Sequence, residues 1–190
     1  MPAFDLRGIK VAKYSSTGYS DILSAGDAMN VNLELRYAEG RLYAEGALAE
    51  YMRLATGGTC SIGVKYIPEA VQTMMYGSST KTRQIDGKSV SSIAQSSNDV
   101  ANYVGLSFYA PDKIDGETKY TCVFVPKVSF GAPSMSYQTK GDSITFVTPT
   151  TTGEFMPDAA TGQLLIETAV VDDVDTAVKW CAAVLGSTGG

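Results

Sequence analysis

Between residues 103 and 146 the chain alternates β-prone runs with tight-turn dipeptides. That order leaves little room for anything but an antiparallel sheet built from segments adjacent in sequence. Residues 103–109 read as a strand, Asp115-Gly116 as a two-residue turn, and 119–130 as a long β-branched and aromatic strand. A Pro133-Ser134 break and a Lys140-Gly141-Asp142 turn then punctuate 136–146, the last strand of the series. In 119–130 both faces are apolar, with Tyr120, Cys122 and Phe124 on one and Thr121, Val123 and Val125 on the other. A strand patterned in this way is covered on both sides, so it is expected at the centre of the fold.

Residues 30–37 alternate polar and apolar without error, giving a strand of roughly 26 Å at ~3.3 Å per residue with one dry face. Residues 60–66 alternate in the same way after Gly57-Gly58, which reads as a turn, and the two strands are expected to pair. The intervening 38–59 is long for a hairpin connection, and such segments tend to be functional. It reads either as a solvated hairpin extension or as an arm that docks on another subunit. Pro68 and Gly77 bracket a short helix whose Met74 and Met75 suit a core, and 78–99, with Asp86-Gly87, reads as a second protruding loop. Residues 164–171 read as one more strand. Near the end, Asp175 is placed to cap a helix over 176–185 within the region 173–186. That helix turns Ala177, Val178, Cys181 and Leu185 to one side, sets Trp180 and Val184 beside them, and stops at Gly186. The expected fold class is mainly β: an antiparallel sandwich or open barrel, with one or two short flanking α-helices and long protruding loops, in a single domain over 1–190.

Chemistry is harder to find than shape. The 190 residues include no histidine, which removes the commonest general base, every Ser-His or Cys-His nucleophile pair, and most zinc sites. Twenty scattered acids single out no catalytic carboxylate pair, so no enzyme activity, cofactor or metal is expected. Asp172, Asp173 and Asp175 lack the alternating spacing of a calcium loop and suit a helix amino terminus instead. Cys60, Cys122 and Cys181 are distant from one another and read as small buried apolar residues. No secretory signal or membrane-length apolar stretch is visible, so cytosol-like conditions and no membrane partner are expected. Charge is uneven: from Gly141 onward seven acids face Lys179 alone, and no basic stripe of the kind that grips nucleic acid is present.

Several pieces of the sequence resemble, in the family's order, the major tail proteins of long, non-contractile-tailed bacteriophages. They are Arg41-Leu42-Tyr43-Ala44-Glu45; Gly57-Gly58-Thr59 leading into Ile62-Gly63-Val64; residues 103–109; Val125-Pro126-Lys127-Val128-Ser129-Phe130; residues 133–144; and Ala177-Val178-Lys179-Trp180. Leu48, Tyr51, Met52 and Leu54 make 47–56 more apolar than the family pattern.

The resemblance implies a structural virion protein, assembled in the bacterial host cytoplasm. Its homo-hexameric rings would stack into a tail tube through which double-stranded DNA passes without specific binding. It also implies a tape measure protein, a tail terminator and distal tail proteins as partners. Tyr43, Leu48, Tyr51, Met52 and Leu54 are the expected inter-ring contacts. Excess carboxylates are expected toward the bore, with no strand face assigned to it. Two other readings remain: the tube protein of a contractile or phage-derived delivery particle, and, in a different class, a monomeric β-barrel binding module using Tyr43 and Tyr51 as a sugar or small-ligand platform.

Overall fold

The computed structural model describes residues 5–45, 47–134, 139 and 148–186. Its strands are β1 (Arg7–Ser15), β2 (Gly18–Ser24), β3 (Ala28–Ala44), β4 (Ala47–Val64), β5 (Ser79–Ile85), β6 (Lys88–Ala94), β7 (Tyr103–Ile114), β8 (Glu117–Phe130), β9 (Thr150–Phe155) and β10 (Glu167–Val171). The helices are α1 (Glu69–Tyr76) and α2 (Val174–Gly186), with a single 3-10 turn at Ala159–Thr161. Eight strands form one antiparallel sheet in the order β2-β1-β7-β8-β9-β4-β3, with β10 also paired to β8, and β5-β6 form a separate ribbon. The sheet is not a closed barrel, and the mainly β antiparallel class with flanking helices stands. The strand expected over 136–146, and most of the 133–144 motif, lie outside the described residues.

The β7–β8 hairpin organises this sheet. Asp115 and Gly116 take φ of 53° and 86°, the left-handed pair that a two-residue hairpin turn demands, and Ile114 pairs with Glu117 across it. Alternation then divides β7. Val104, Leu106 and Phe108 enter the main core, while Gly105, Ser107 and Tyr109 face α2. On β8, Val123 and Val125 join the core and Cys122 and Phe124 turn to the helix. Both faces are covered, as the apolar pattern requires.

Strict alternation would put Val125 and Val128 on opposite faces, yet both are fully buried in the same core. The register explains this, because Leu106 pairs with Val125 and Val104 with Val128, leaving an extra residue in β8. This bulge holds Pro126, which has no N–H to give to a ladder, and it resets the faces so that Phe130 also points inward. The main core collects Ile9 and Val11 from β1, Ile62 and Val64 from β4, Phe155 from β9, and Val71, Met74 and Met75 from α1. Both methionines fill the core as their pattern suggests.

Helix α1 has Pro68 just before its first turn and Gly77 in the left-handed conformation at its end. The carboxyl-terminal helix differs from expectation at its start. Asp173, not Asp175, is the cap: its Oδ1 accepts from the Thr176 N–H at 2.8 Å and its Oδ2 from the Thr176 hydroxyl at 2.7 Å. Asp175 sits in the first turn instead. The buried stripe is Ala177, Cys181 and Leu185, a strict four-residue spacing, and Val178 is left exposed. Trp180 packs at the edge of both small clusters beneath the helix. Cys60, Cys122 and Cys181 are all free and buried.

Leu185→Ala should lower stability by about 2–5 kcal/mol, read from the denaturant midpoint and the fluorescence of the only tryptophan, Trp180. Gly105→Ala should destabilise the same seam, because a Cβ there meets the Tyr19 ring and Leu185. A wild-type midpoint for both variants would contradict this packing. The Thr176 hydroxyl and N–H hold the Asp173 carboxyl below its ordinary 3.8. Because the folded value is depressed, the cap's contribution is present above about pH 3.8 and is lost as pH falls through the folded value. The Thr176 amide shift should therefore titrate with a midpoint below 3.8, and a midpoint at or above it would refute the cap.

Candidate assembly surface

Residues 38–59 are an arm, but one made of hydrogen-bonded strand, not loop. β3 and β4 pair from Ala28 with Val64 out to Ala44 with Ala47, with register shifts after Ala28, Arg36 and Leu42, and Glu45 takes a left-handed φ of 51° in the turn. This pairing escapes a pattern search because the outer half has no wet and dry side to alternate between. The third strand, β9, covers β4 only from Gly58 to Gly63. Beyond that line two strands project alone for about ten residues each, roughly 30 Å at ~3.3 Å per residue.

Gly57-Gly58 sits at the point of departure, inside β4 and not in a turn. Gly57 adopts φ 144°, and a Cβ on Gly58 would run into the Phe155 ring and the Glu34 carbonyl. The register slips by one residue here, as Arg36 pairs with Gly57 but Tyr37 with Ala55. Glycine lets β9 and Phe155 close against the ribbon, and the bulge swings the remainder away. Arg36 anchors the root through Glu154 at 2.9 Å.

Cross-strand pairing gives the arm two unlike faces. One carries Tyr37, Glu39, Arg41, Tyr43, Leu48, Tyr51 and Arg53. Its charges and rings interlock: Glu39 lies 3.5 Å from both Arg41 and Arg53, Arg53 stacks 3.9 Å from the Tyr37 ring centroid, and Arg41 lies 5.7 Å from that of Tyr51. A hydrogen bond to Glu39 raises the Tyr51 phenol. The opposite face pairs Ala38 with Leu54, Gly40 with Met52 and Leu42 with Glu50. Leu42, Met52 and Leu54 are 57%, 63% and 59% exposed, so more than half of each is left to solvent. Gly40 needs no special φ, and a Cβ there would find open space. Nothing in the isolated subunit calls for glycine in mid-strand, where it weakens pairing.

The five expected contact residues therefore do not share one surface. Tyr43, Leu48 and Tyr51 belong to the interlocked face, and Met52 and Leu54 to the apolar one, with Leu42, Ala38 and Gly40 as members that sequence reading missed. The period-2 offset between Tyr51 and Met52 was the available signal. Neither Tyr43 nor Tyr51 lines the cavity of about 730 Å³ beneath the β1–β2 turn.

The second projection, over 78–99, is the β5–β6 ribbon, closed by Asp86 and Gly87 with φ of 48° and 76°. Ser91 on one face donates to Glu69 of α1 at 2.9 Å. The other face therefore turns outward, presenting Lys81, Arg83 and Lys88 with exposed Ile85 and Val90. Elsewhere on the surface, Asp172 is ion-paired to Lys119 at 3.0 Å. Among the described residues no group of three or more Cys, Asp or Glu side chains gathers to hold a metal ion, and no helix is long and apolar enough to cross a membrane.

Fold and surface together define an antiparallel β protein with an unpartnered apolar arm. No protein-family model matches the chain, and no curated protein is significantly similar to it.

Replacing Leu42, Met52 and Leu54 together with serine should change the unfolding free energy of the isolated subunit by no more than about 0.5 kcal/mol per site. The same triple variant should lose most binding of a hydrophobic fluorescent dye. A large loss of stability would mean that the arm packs on its own chain.

Proposed function

We propose that this chain is a structural subunit that self-assembles into stacked hexameric rings, forming a phage tail tube through which double-stranded DNA passes. One observation carries the reading: a two-stranded ribbon that leaves the sheet at Gly57 with Leu42, Met52 and Leu54 together on one face, each more than half exposed. Two-stranded hairpins are marginal in water, and an exposed apolar face of this kind marks an interaction site. The occupant is a second copy in the adjoining ring. Gly40 supports close approach there, since a missing side chain that the subunit itself does not require leaves room for another backbone.

Open sheet edges add to the argument. Among the described residues β2 and β3 end the strand order with unpaired backbone on one side, a liability that ring formation removes. The resemblance set out above gives the number of copies and the remaining partners: the tape measure protein, the tail terminator and the distal tail proteins, with the virion tail as the location. The charge balance suits passage. DNA presents about one phosphate per 1.7 Å, so a bore lined with lysine and arginine would gather counterion-release affinity at every ring, whereas an acidic or neutral lining lets the duplex slide.

Deleting residues 45–54 should leave a folded subunit, because the ribbon root is still held by β9 and the Arg36–Glu154 pair. Negative-stain microscopy of concentrated protein should show tubes or stacked rings for the full chain and none for the deletion. Normal tubes from the deletion would reject the role of the arm. A full chain that stays monomeric when concentrated, even with its initiating tail complex present, would reject the function itself.

A further inference from the structure

The β1–β2 turn, the 3-10 turn and the last turn of α2 border a half-open cavity of about 730 Å³, within the range of small-molecule sites. Tyr14, Tyr19 and Phe124 give it an aromatic wall, Asp158 and Glu167 supply carboxylates, and among the described residues neither lysine nor arginine lines it. Asp158 is 1% exposed. Its Oδ1 accepts from the Tyr14 hydroxyl at 2.6 Å and from the Ala160 N–H at 3.3 Å, while its Oδ2 accepts from no described donor.

A carboxylate so deeply buried is costly unless a positive group faces it. The Lys127 ammonium lies over the rings of Tyr14 and Tyr103, 5.0 and 4.7 Å from their centroids, and among the described residues no lysine or arginine forms an ion pair with Asp158. Tyr14 supplies no charge: the hydrogen bond to Asp158 and burial push its phenol up to about 12, so it stays a neutral donor. Tyr19 is also committed, its hydroxyl donating to the Pro126 carbonyl at 2.9 Å.

We propose that this cavity is a binding site for an organic cation, an alkylammonium or guanidinium group that meets Asp158 and Glu167 within the aromatic wall. Carboxylate and ring faces together are what such a group selects, through a charge-assisted hydrogen bond and cation–π attraction. The cation can be a free small molecule or a lysine or arginine side chain of a second copy; the chemistry is shared. The site lies away from the arm and does not depend on the tube reading.

The test is amide chemical-shift titration of the full chain with butylammonium and ethylguanidinium at constant ionic strength, with n-butanol as the neutral control. Saturable shifts are expected at Gly18, Ala160 and Gly162 for the cations only. Asp158→Asn, which keeps an oxygen for Tyr14 and Ala160, should bind about tenfold more weakly. Should that variant fail to fold, Glu167→Gln, at an exposed position, carries the test with a smaller loss. With no cation added, shifts of these amides that track protein concentration assign the group to a second copy; saturation by the free cations without such dependence assigns it to a small molecule. Equal binding of butanol, wild-type affinity in the folded variants, or no response to cation or concentration overturns the proposal.

Discussion

The whole molecule depends on β8 being dry on both sides. One strand must satisfy three neighbours, β7 along one edge and β9 and β10 along successive halves of the other, while its side chains serve the main core and α2 at once. Such a strand tolerates few polar atoms beside it. Ser107, fully buried on the neighbouring strand, donates to the Cys181 carbonyl at 2.9 Å, spending its hydroxyl on α2. The bulge at Pro126 is the concession that makes this possible, since it lets a residue without an N–H sit mid-sheet and brings Val128 and Phe130 back to the core.

From that strand outward, order decreases in a graded way. β9 is short and covers β4 over six residues, and there the shared core ends. Phe155 fills the last position, pressed against Gly58, so the ribbon leaves the sheet at a glycine pair because any side chain would separate the two strands. Beyond it, stability comes only from ladder hydrogen bonds and from the exposed Glu39–Arg41–Arg53 network with its stacked tyrosines. Exposed ion pairs of this kind contribute little. The arm is therefore held to its strand shape on one face and left unfinished on the other.

What the sequence made legible follows from this gradient. Residues 103–130 could be read as two strands and a turn because dry surfaces on both sides force apolar runs and Asp-Gly fixes the hairpin. The pairing of 30–37 with 60–66 was legible for the same reason, a single alternating face. Residues 38–59 were read as a long connection because the ribbon has no core side and so no period against a solvent side. Gly57-Gly58 suggested a turn, since glycine marks a bulge or a close approach as readily as a reversal. The cap shifted from Asp175 to Asp173 because three nearby acids offer the same chemistry, and only the position of the buried Ala177-Cys181-Leu185 stripe chooses among them. The cavity under the β1–β2 turn was invisible, as Tyr14 and Asp158 are 144 residues apart.

The unfinished face also limits how assembly by such an arm can proceed. Fully burying a leucine or methionine is worth about 1.5–3 kcal/mol, and Leu42, Met52 and Leu54 are already almost half covered. One arm then gains only a few kcal/mol against an association cost of about 4–15 kcal/mol. Two free subunits would not stay joined by it. Six arms held in one ring pay that cost once and act together, so on the proposed reading stacking follows ring closure, and subunits outside a ring do not stack.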